Sequence, residues 1–307
     1  MPFVVIKGAF RVVSRTKSGN ETGFEPDGDS IQFRPDKPKL LDRLERLSSA
    51  YRLSAVGSTQ LRFEGIDALE LHFAAGKAGL THQPRPLADR ARDHLVTKAG
   101  LDPVHYTPPD NIRVKPPAIH DGARGYILSR SLEVHGRPVS FVFAGDPPEK
   151  DGTEVQLHAP RLETSLNYEM LESGNAYPLF YDTLFADLRT ALASAATAAS
   201  QAGRGLWPKD ETLKGLAPKS VADLQASGVV FPKLFRRLAE FFGTGAKSLT
   251  KFHAWLTEKK ERVLDLDTTN NTHLDTYVAV HDGTVKLTKD PGRLVFVSAT
   301  SKSNPWV

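Results

Sequence analysis

Between Phe3 and Phe143 the apolar residues come in short runs, each closed off by glycine, proline or acidic turn residues. That pattern commits much of the first half of the chain to sheet. Residues 3–13, 29–33, 60–66, 124–134 and 138–143 read as strands, the first with a break at Gly8. Alternation within 29–33 places Asp29, Ile31 and Phe33 on one face. The tight turn His135-Gly136-Arg137 joins the last two strands, and the polar stretch 17–28 is a hairpin-like link. Helical spacing enters at 36–51, where Leu40, Leu41, Leu44 and Leu47 form a short apolar stripe. It returns at 86–99, with Pro86 near the start and Gly100 after the end. Five prolines between 103 and 118 mark a loop. Residues 166–173, 181–203, 221–227, 232–242 and 246–262 read as helices; 277–281 and 293–299 read as strands, with Asp282-Gly283 as a hairpin turn. The predicted class is α+β.

The 307 residues suffice for one large domain or two ordinary ones. The absence of cysteine excludes a disulfide framework, a thiolate nucleophile and a cysteine-ligated zinc. No apolar run reaches the length of a membrane span, and residues 1–7 lack the core of a signal peptide. A cytoplasmic protein without a membrane partner is the expectation. Charge is uneven along the chain. Residues 1–211 carry 26 Lys+Arg against 27 Asp+Glu, a net of −1, and residues 212–307 carry 14 against 9, a net of +5. A basic C-terminal third favours polyanionic partners.

Three carboxylates and two arginines stand out by their order. Asp27-Gly28-Asp29 is a turn dipeptide followed by a second acid; Arg62, Asp67 and Glu70 lie in and just past a strand; Arg137 sits in a hairpin turn. Taken singly, each reads as a turn or a solvated strand end. Together and in order they resemble the staphylococcal nuclease-like (thermonuclease) family. Its Asp-Gly-Asp turn is matched by Asp27-Gly28-Asp29-Ser30, and its Arg-x-x-x-x-Asp-x-x-Glu stretch by Arg62, Asp67 and Glu70. Its Tyr-Gly-Arg turn is matched by His135-Gly136-Arg137, and its closing Gly-Arg-Gly-Leu-Trp by Gly203-Arg204-Gly205-Leu206-Trp207. The helix from Leu166 is similar to the family's helix with a buried asparagine, here Asn167. The likeness spans about residues 3–210. Leu69 stands where the family has proline, and His135 where it has tyrosine.

The resemblance implies a five-stranded, OB-like β-barrel with packed helices over 1–210, with insertions near 36–58, 103–118 and 145–164. Residues 211–307 form a C-terminal α+β extension. It further implies a Ca²⁺-dependent nuclease acting on DNA and/or RNA with little sequence preference. Asp29 and Asp67, with the backbone carbonyl of Ala68, are the implied Ca²⁺ ligands. Glu70 is the implied general base, and Arg62 and Arg137 the implied phosphate clamp. Two alternatives stand beside it. One is a nucleic-acid-binding module on the same fold with little or no catalysis. The other is an interaction scaffold built on an exposed groove at Phe231, Phe235, Phe241 and Phe242, although the favoured reading of these residues is a core-facing helix stripe. Lys233, Arg236, Arg237, Lys247, Lys251, Lys259 and Lys260 are expected on helix surfaces. The first three share a face by spacing and would extend a phosphate-binding track.

Overall fold

Phe3–Arg11 is the strand on which the β-rich part is built. A computed structural model describes residues 2–16, 18–46 and 49–298. Phe3–Arg11 pairs antiparallel with Arg124–Leu132 on one side and with Gln32–Pro35 on the other. Gly8 does not interrupt it. It pairs with Gly125 and Pro35, and the Phe33 ring lies 2.6 Å from where a Cβ would stand, so the residue is small to admit its neighbour. The sheet runs Thr59–Gln60, Gln32–Pro35, Phe3–Arg11, Arg124–Leu132, Pro138–Ala144, Arg62–Phe63. Its two ends are separated in sequence by Leu61 alone, so the sheet nearly closes into a barrel. Closure runs through the backbone: Leu61 N donates to Ile31 O at 2.9 Å, and Glu64 N donates to Ser140 O at 2.9 Å. Ile6, Phe10 and Phe33 lie on one face of this sheet and Phe141 on the other, and all four are fully buried. Each contributes about 1.5–3 kcal/mol by leaving water.

Two segments expected as insertions take part in this sheet. Glu154–Val155 pairs with Phe3 and Val4, and Glu45–Arg46 pairs in parallel with Ser131 and Leu132. That pairing explains why the helix expected over 36–51 shrinks to a 3₁₀ turn at Pro38–Arg43. Leu41 and Leu44 bury as the stripe requires, but the chain then leaves helical geometry to reach the sheet. Leu47 lies outside the described residues.

The chain divides into two compact units, one of Met1–Glu64 and Arg92–Met170, the other of Gly65–Ala91 and Leu171–Val307. Residues 171–210 thus join 211–307 in one unit. The second unit is mixed. Ile66–Ala68 pairs antiparallel with Ala176–Pro178, and a four-stranded sheet runs Phe180–Tyr181, Leu294–Phe296, Arg262–Asp265, Asn271–His273. Helices Ala186–Gln201, Val221–Ser227, Pro232–Gly243 and Phe252–Thr257 accompany these strands. The helix expected over 246–262 is instead the short turn Leu249–Lys251, the helix Phe252–Thr257 and the strand Arg262–Asp265. Lys260, at φ 49°, ends helical geometry, and pairing with Leu294–Phe296 draws the next residues straight. Gly203 and Gly205 both have positive φ, and a Cβ on Gly205 would stand 1.9 Å from Gly174 O. The Gly-Arg-Gly motif is therefore a backbone closure, sealed by Leu206 N donating to Gly174 O at 2.9 Å.

Among the described residues no helix is long and apolar enough to cross a membrane.

Candidate functional site

The predicted residues fall into the two units. Asp29, Arg62 and Arg137 belong to the first, and Asp67, Ala68 and Glu70 to the second.

In the first unit, Asp27 N donates to Ser30 O, and the Asp27 carboxylate accepts from Gly28 N at 2.7 Å. This tight turn presents Asp29. The Asp29 carbonyl accepts from Phe63 N at 3.2 Å, which ties the acidic turn to the strand of Arg62. Arg62 is in parallel register with Val139, two residues beyond Arg137. Backbone pairing thus brings together three segments far apart in sequence. Asn167, fully buried, pins the junction: its Nδ2 donates to Glu64 O at 2.8 Å and Ser140 O at 3.0 Å, and its Oδ1 accepts from Val142 N at 2.9 Å. The asparagine expected from the resemblance is a structural pin beside Arg62 rather than a reacting group.

Arg137 follows Gly136, whose φ is 82°. A Cβ there would meet Ala50 O at 2.2 Å, so the turn needs glycine. Glu133, which the sequence reading did not single out, organises this turn. Its Oε1 accepts from His135 N, Arg137 N and Arg137 Nε at 2.9, 3.1 and 3.2 Å. The Arg137 guanidinium therefore starts from an ion pair within its own hairpin.

In the second unit, Gly65, with φ 80°, turns the chain into Ile66–Ala68. Leu192 packs 2.5 Å from where a Cβ on Gly65 would lie. Asp67 sits opposite Tyr177 in the two-stranded pairing. Leu69 and Leu71 are buried on either side of Glu70 and anchor it in the apolar cluster. The leucine that replaces the family's proline is thus part of that anchor. Asp67 and Glu70 converge on one cation. Arg236 Nη1 and Nη2 donate to Asp67 Oδ1 and Oδ2 at 3.1 and 2.8 Å, and Nη1 also donates to Glu70 Oε1. Burial opposes the charge on Arg236, but Asp67 and Glu70 outweigh it and hold its pKa well above the usual arginine range.

Gln83 fixes the geometry of this pairing. Its Oε1 accepts from Glu70 N at 3.2 Å, its backbone N donates to Glu70 O at 2.8 Å, and its Nε2 donates to Gly228 O and Val230 O at 2.7 and 2.8 Å. The buried amide thus ties the turn of Glu70 to the chain just ahead of Pro232–Gly243, the helix of Arg236. No sequence pattern announces this role for Gln83.

The other two cations of the shared helix face are engaged as well. Lys233 pairs with Glu261 at 2.5 Å, and Arg237 pairs with Glu261 and Glu240 at 3.0 Å. Lys233, Arg236 and Arg237 therefore form internal ion pairs and not an open phosphate-binding face. Lys247, Lys251, Lys259 and Lys260 are exposed. Phe231, Phe235, Phe241 and Phe242 are buried in the apolar cluster, and Phe241 also borders a surface pocket beside Lys247 and Trp255.

Ca²⁺ takes six to eight oxygen ligands. The second unit offers the carboxylates of Asp67 and Glu70, and Arg236 engages both. Among the described residues no group of three or more His, Asp or Glu is placed to hold a metal. In this arrangement the oxygens of Asp67 and Glu70 serve the guanidinium of Arg236.

Compared with known proteins, the chain matches no family model and no curated protein.

Proposed function

We propose that this chain binds nucleic acid and hydrolyses its phosphodiester bonds with little sequence preference, on a barrel of the five-stranded, OB-like kind found in staphylococcal nuclease. The observation that carries this reading is the convergence of Asp67 and Glu70, three residues apart, on a single cationic group. Two acids brought to one point by a strand end are what a hydrolase needs to fix and deprotonate a water. The support is chemical and positional, together with the order of Asp29, Arg62, Asp67, Glu70 and Arg137 along the chain.

Glu70 accepts a proton from water as the water oxygen attacks phosphorus. The bond from phosphorus to the leaving sugar oxygen breaks, that oxygen takes up a proton from solvent, and Glu70 returns its own proton to solvent. Arg62 and Arg137 neutralise the charge that grows on the phosphoryl oxygens, a task suited to planar, permanently charged guanidinium groups. Glu70 does this only when Arg236 releases it, because a carboxylate whose lone pairs serve a guanidinium is a poor base. That hold favours a second reading, a nucleic-acid-binding module with little hydrolysis.

Incubating the purified protein with single-stranded DNA and RNA, with added Ca²⁺ or with chelator, and with Glu70→Ala as control, separates the two. Cleavage that disappears in Glu70→Ala supports the hydrolase. Retention of the nucleic acid without cleavage supports the binding module, and neither cleavage nor retention removes both.

A further inference from the structure

Asp67 and Glu70 place two negative charges on side chains only 4% and 14% exposed, and Arg236 returns one positive charge. Left alone, two carboxylates so buried and so close repel one another and draw in any cation that can reach them. Arg236 meets that need in a specific geometry: it forks onto both oxygens of Asp67 and extends one nitrogen to Glu70.

The helix that delivers it is fixed independently. Leu234, Phe235 and Leu238 are buried, and Lys233 and Arg237 are tied to Glu261. Withdrawing the helix would expose that apolar face and break those pairs together. The Arg236 side chain is different: it is 23% exposed and ends a flexible stem. Loss of its contacts to Asp67 and Glu70 therefore does not require a displacement of Pro232–Gly243.

We infer that Arg236 is the resident cation of the Asp67–Glu70 pair, a built-in guanidinium that keeps divalent metal off these carboxylates until its side chain rotates away. The inference rests on reading the two acids as site residues, and it is tested by binding, so it does not depend on whether cleavage is observed.

The experiment uses the full chain and Ca²⁺ alone as the probe, with calorimetric titration and thermal unfolding as readouts. The wild type should show no saturable binding up to about 1 mM Ca²⁺. Arg236→Gln should bind one ion at least about tenfold more tightly, and its unfolding midpoint should rise with Ca²⁺. Adding Asp67→Asn to Arg236→Gln should remove the gain and locate the ion on this pair. Equal Ca²⁺ binding by wild type and Arg236→Gln, or binding by neither, overturns the inference. If Arg236→Gln folds only when Ca²⁺ is present, the inference is supported. If it folds under neither condition, Arg236→Lys decides, since it keeps the charge but loses the fork: Ca²⁺ binding tighter than wild type supports the inference, and unchanged binding overturns it. A wild type that never cleaves nucleic acid leaves this result standing, and a failed titration leaves the cleavage assay unaffected.

Discussion

In the first unit Arg137 is paired with Glu133, four residues back along one hairpin; in the second, Asp67 is paired with Arg236, 169 residues further along the chain. The first pair needs only a turn. Once Gly136 takes its positive φ, Glu133 stands beside the backbone N–H groups of His135 and Arg137, and the guanidinium comes with them. The second pair needs a helix docked by its apolar face and a buried glutamine that spans from Glu70 to Gly228 and Val230. Arginine chemistry is shared, but the way it is held is not. A hairpin ion pair exchanges readily with solvent and ligand. A pair set by core packing is as durable as the packing, apart from the rotation of its own side chain.

The largest effect should fall on turnover. If the first unit supplies the phosphate clamp, Arg62→Ala and Arg137→Ala each lower cleavage of single-stranded DNA by about 10²–10³-fold, the usual cost of losing a transition-state donor. Full activity in both variants would leave the first unit without a chemical role and end the functional side of the comparison.

Next in size is the packing-set pair itself. Arg236→Gln takes from two buried carboxylates the guanidinium they share and should cost on the order of 3 kcal/mol in urea unfolding at pH 7, without added metal. A cost below that of the hairpin variant described last would reverse the contrast. Asn167→Ala should cost a comparable amount, about 3 kcal/mol. It strands Val142 N and Glu64 O in a dry interior, although Ser140 O keeps Glu64 N as a donor. Because Asn167 ties Glu64 to Ser140, this variant should also lower cleavage; an unchanged rate would show that the Arg62 segment holds its position without the pin.

The acid response sharpens the picture of the second unit. Burial raises the pKa of Glu261, but Lys233 and Arg237 outweigh it and hold the carboxyl at about 2. A glutamate freed by unfolding returns to 4.5. The folded pKa is the lower one, so this stabilisation is complete above about pH 4.5 and is lost as the pH falls from there towards 2. It amounts to roughly 3 kcal/mol. Comparing wild type with Glu261→Gln across that range, the stability gap should narrow as the pH drops; a constant gap would mean the carboxylate charge is not what Lys233 and Arg237 recognise.

The smallest effect belongs to the hairpin. Glu133→Gln keeps an oxygen for the turn and loses only the charge assistance to Arg137, for about 1 kcal/mol. Chemical denaturation alongside Arg236→Gln gives the ratio of the two costs directly.

Elements whose logic is local were legible from the residues. Phe3–Arg11, Arg124–Leu132, Pro138–Ala144, the glycine turn before Arg137 and the hairpin at Asp282-Gly283 all follow from short-range alternation and turn chemistry. Asn167 was singled out as a buried asparagine and is one. Elements that answer to distant partners were not. Arg262–Asp265 reads as the end of a helix until Leu294–Phe296 is beside it, and the stretch after Arg43 reads as helix until Ser131 is beside it. Arg236 was visible as a positive charge on an amphipathic helix. Its spacing from Lys233 and Arg237 suggested a shared outward face, because helical periodicity reports which residues lie together and not what they meet.

The sequence by itself determined the α+β class, most strands of the barrel, the turns that present Asp29 and Arg137, and the placement of Asp67 and Glu70 three residues apart past a strand. Those features depend on backbone preferences and on side-chain period, which act over a few residues. Only the tertiary structure decided that the second-unit carboxylates are answered by a guanidinium, and that the basic helix face is paired with Glu261 and with Glu240 of the same helix. Charge pairing in a buried setting is settled by which apolar faces pack, and apolar burial is non-directional. A chain of residues can state how much of it there is, but not against what it will be spent.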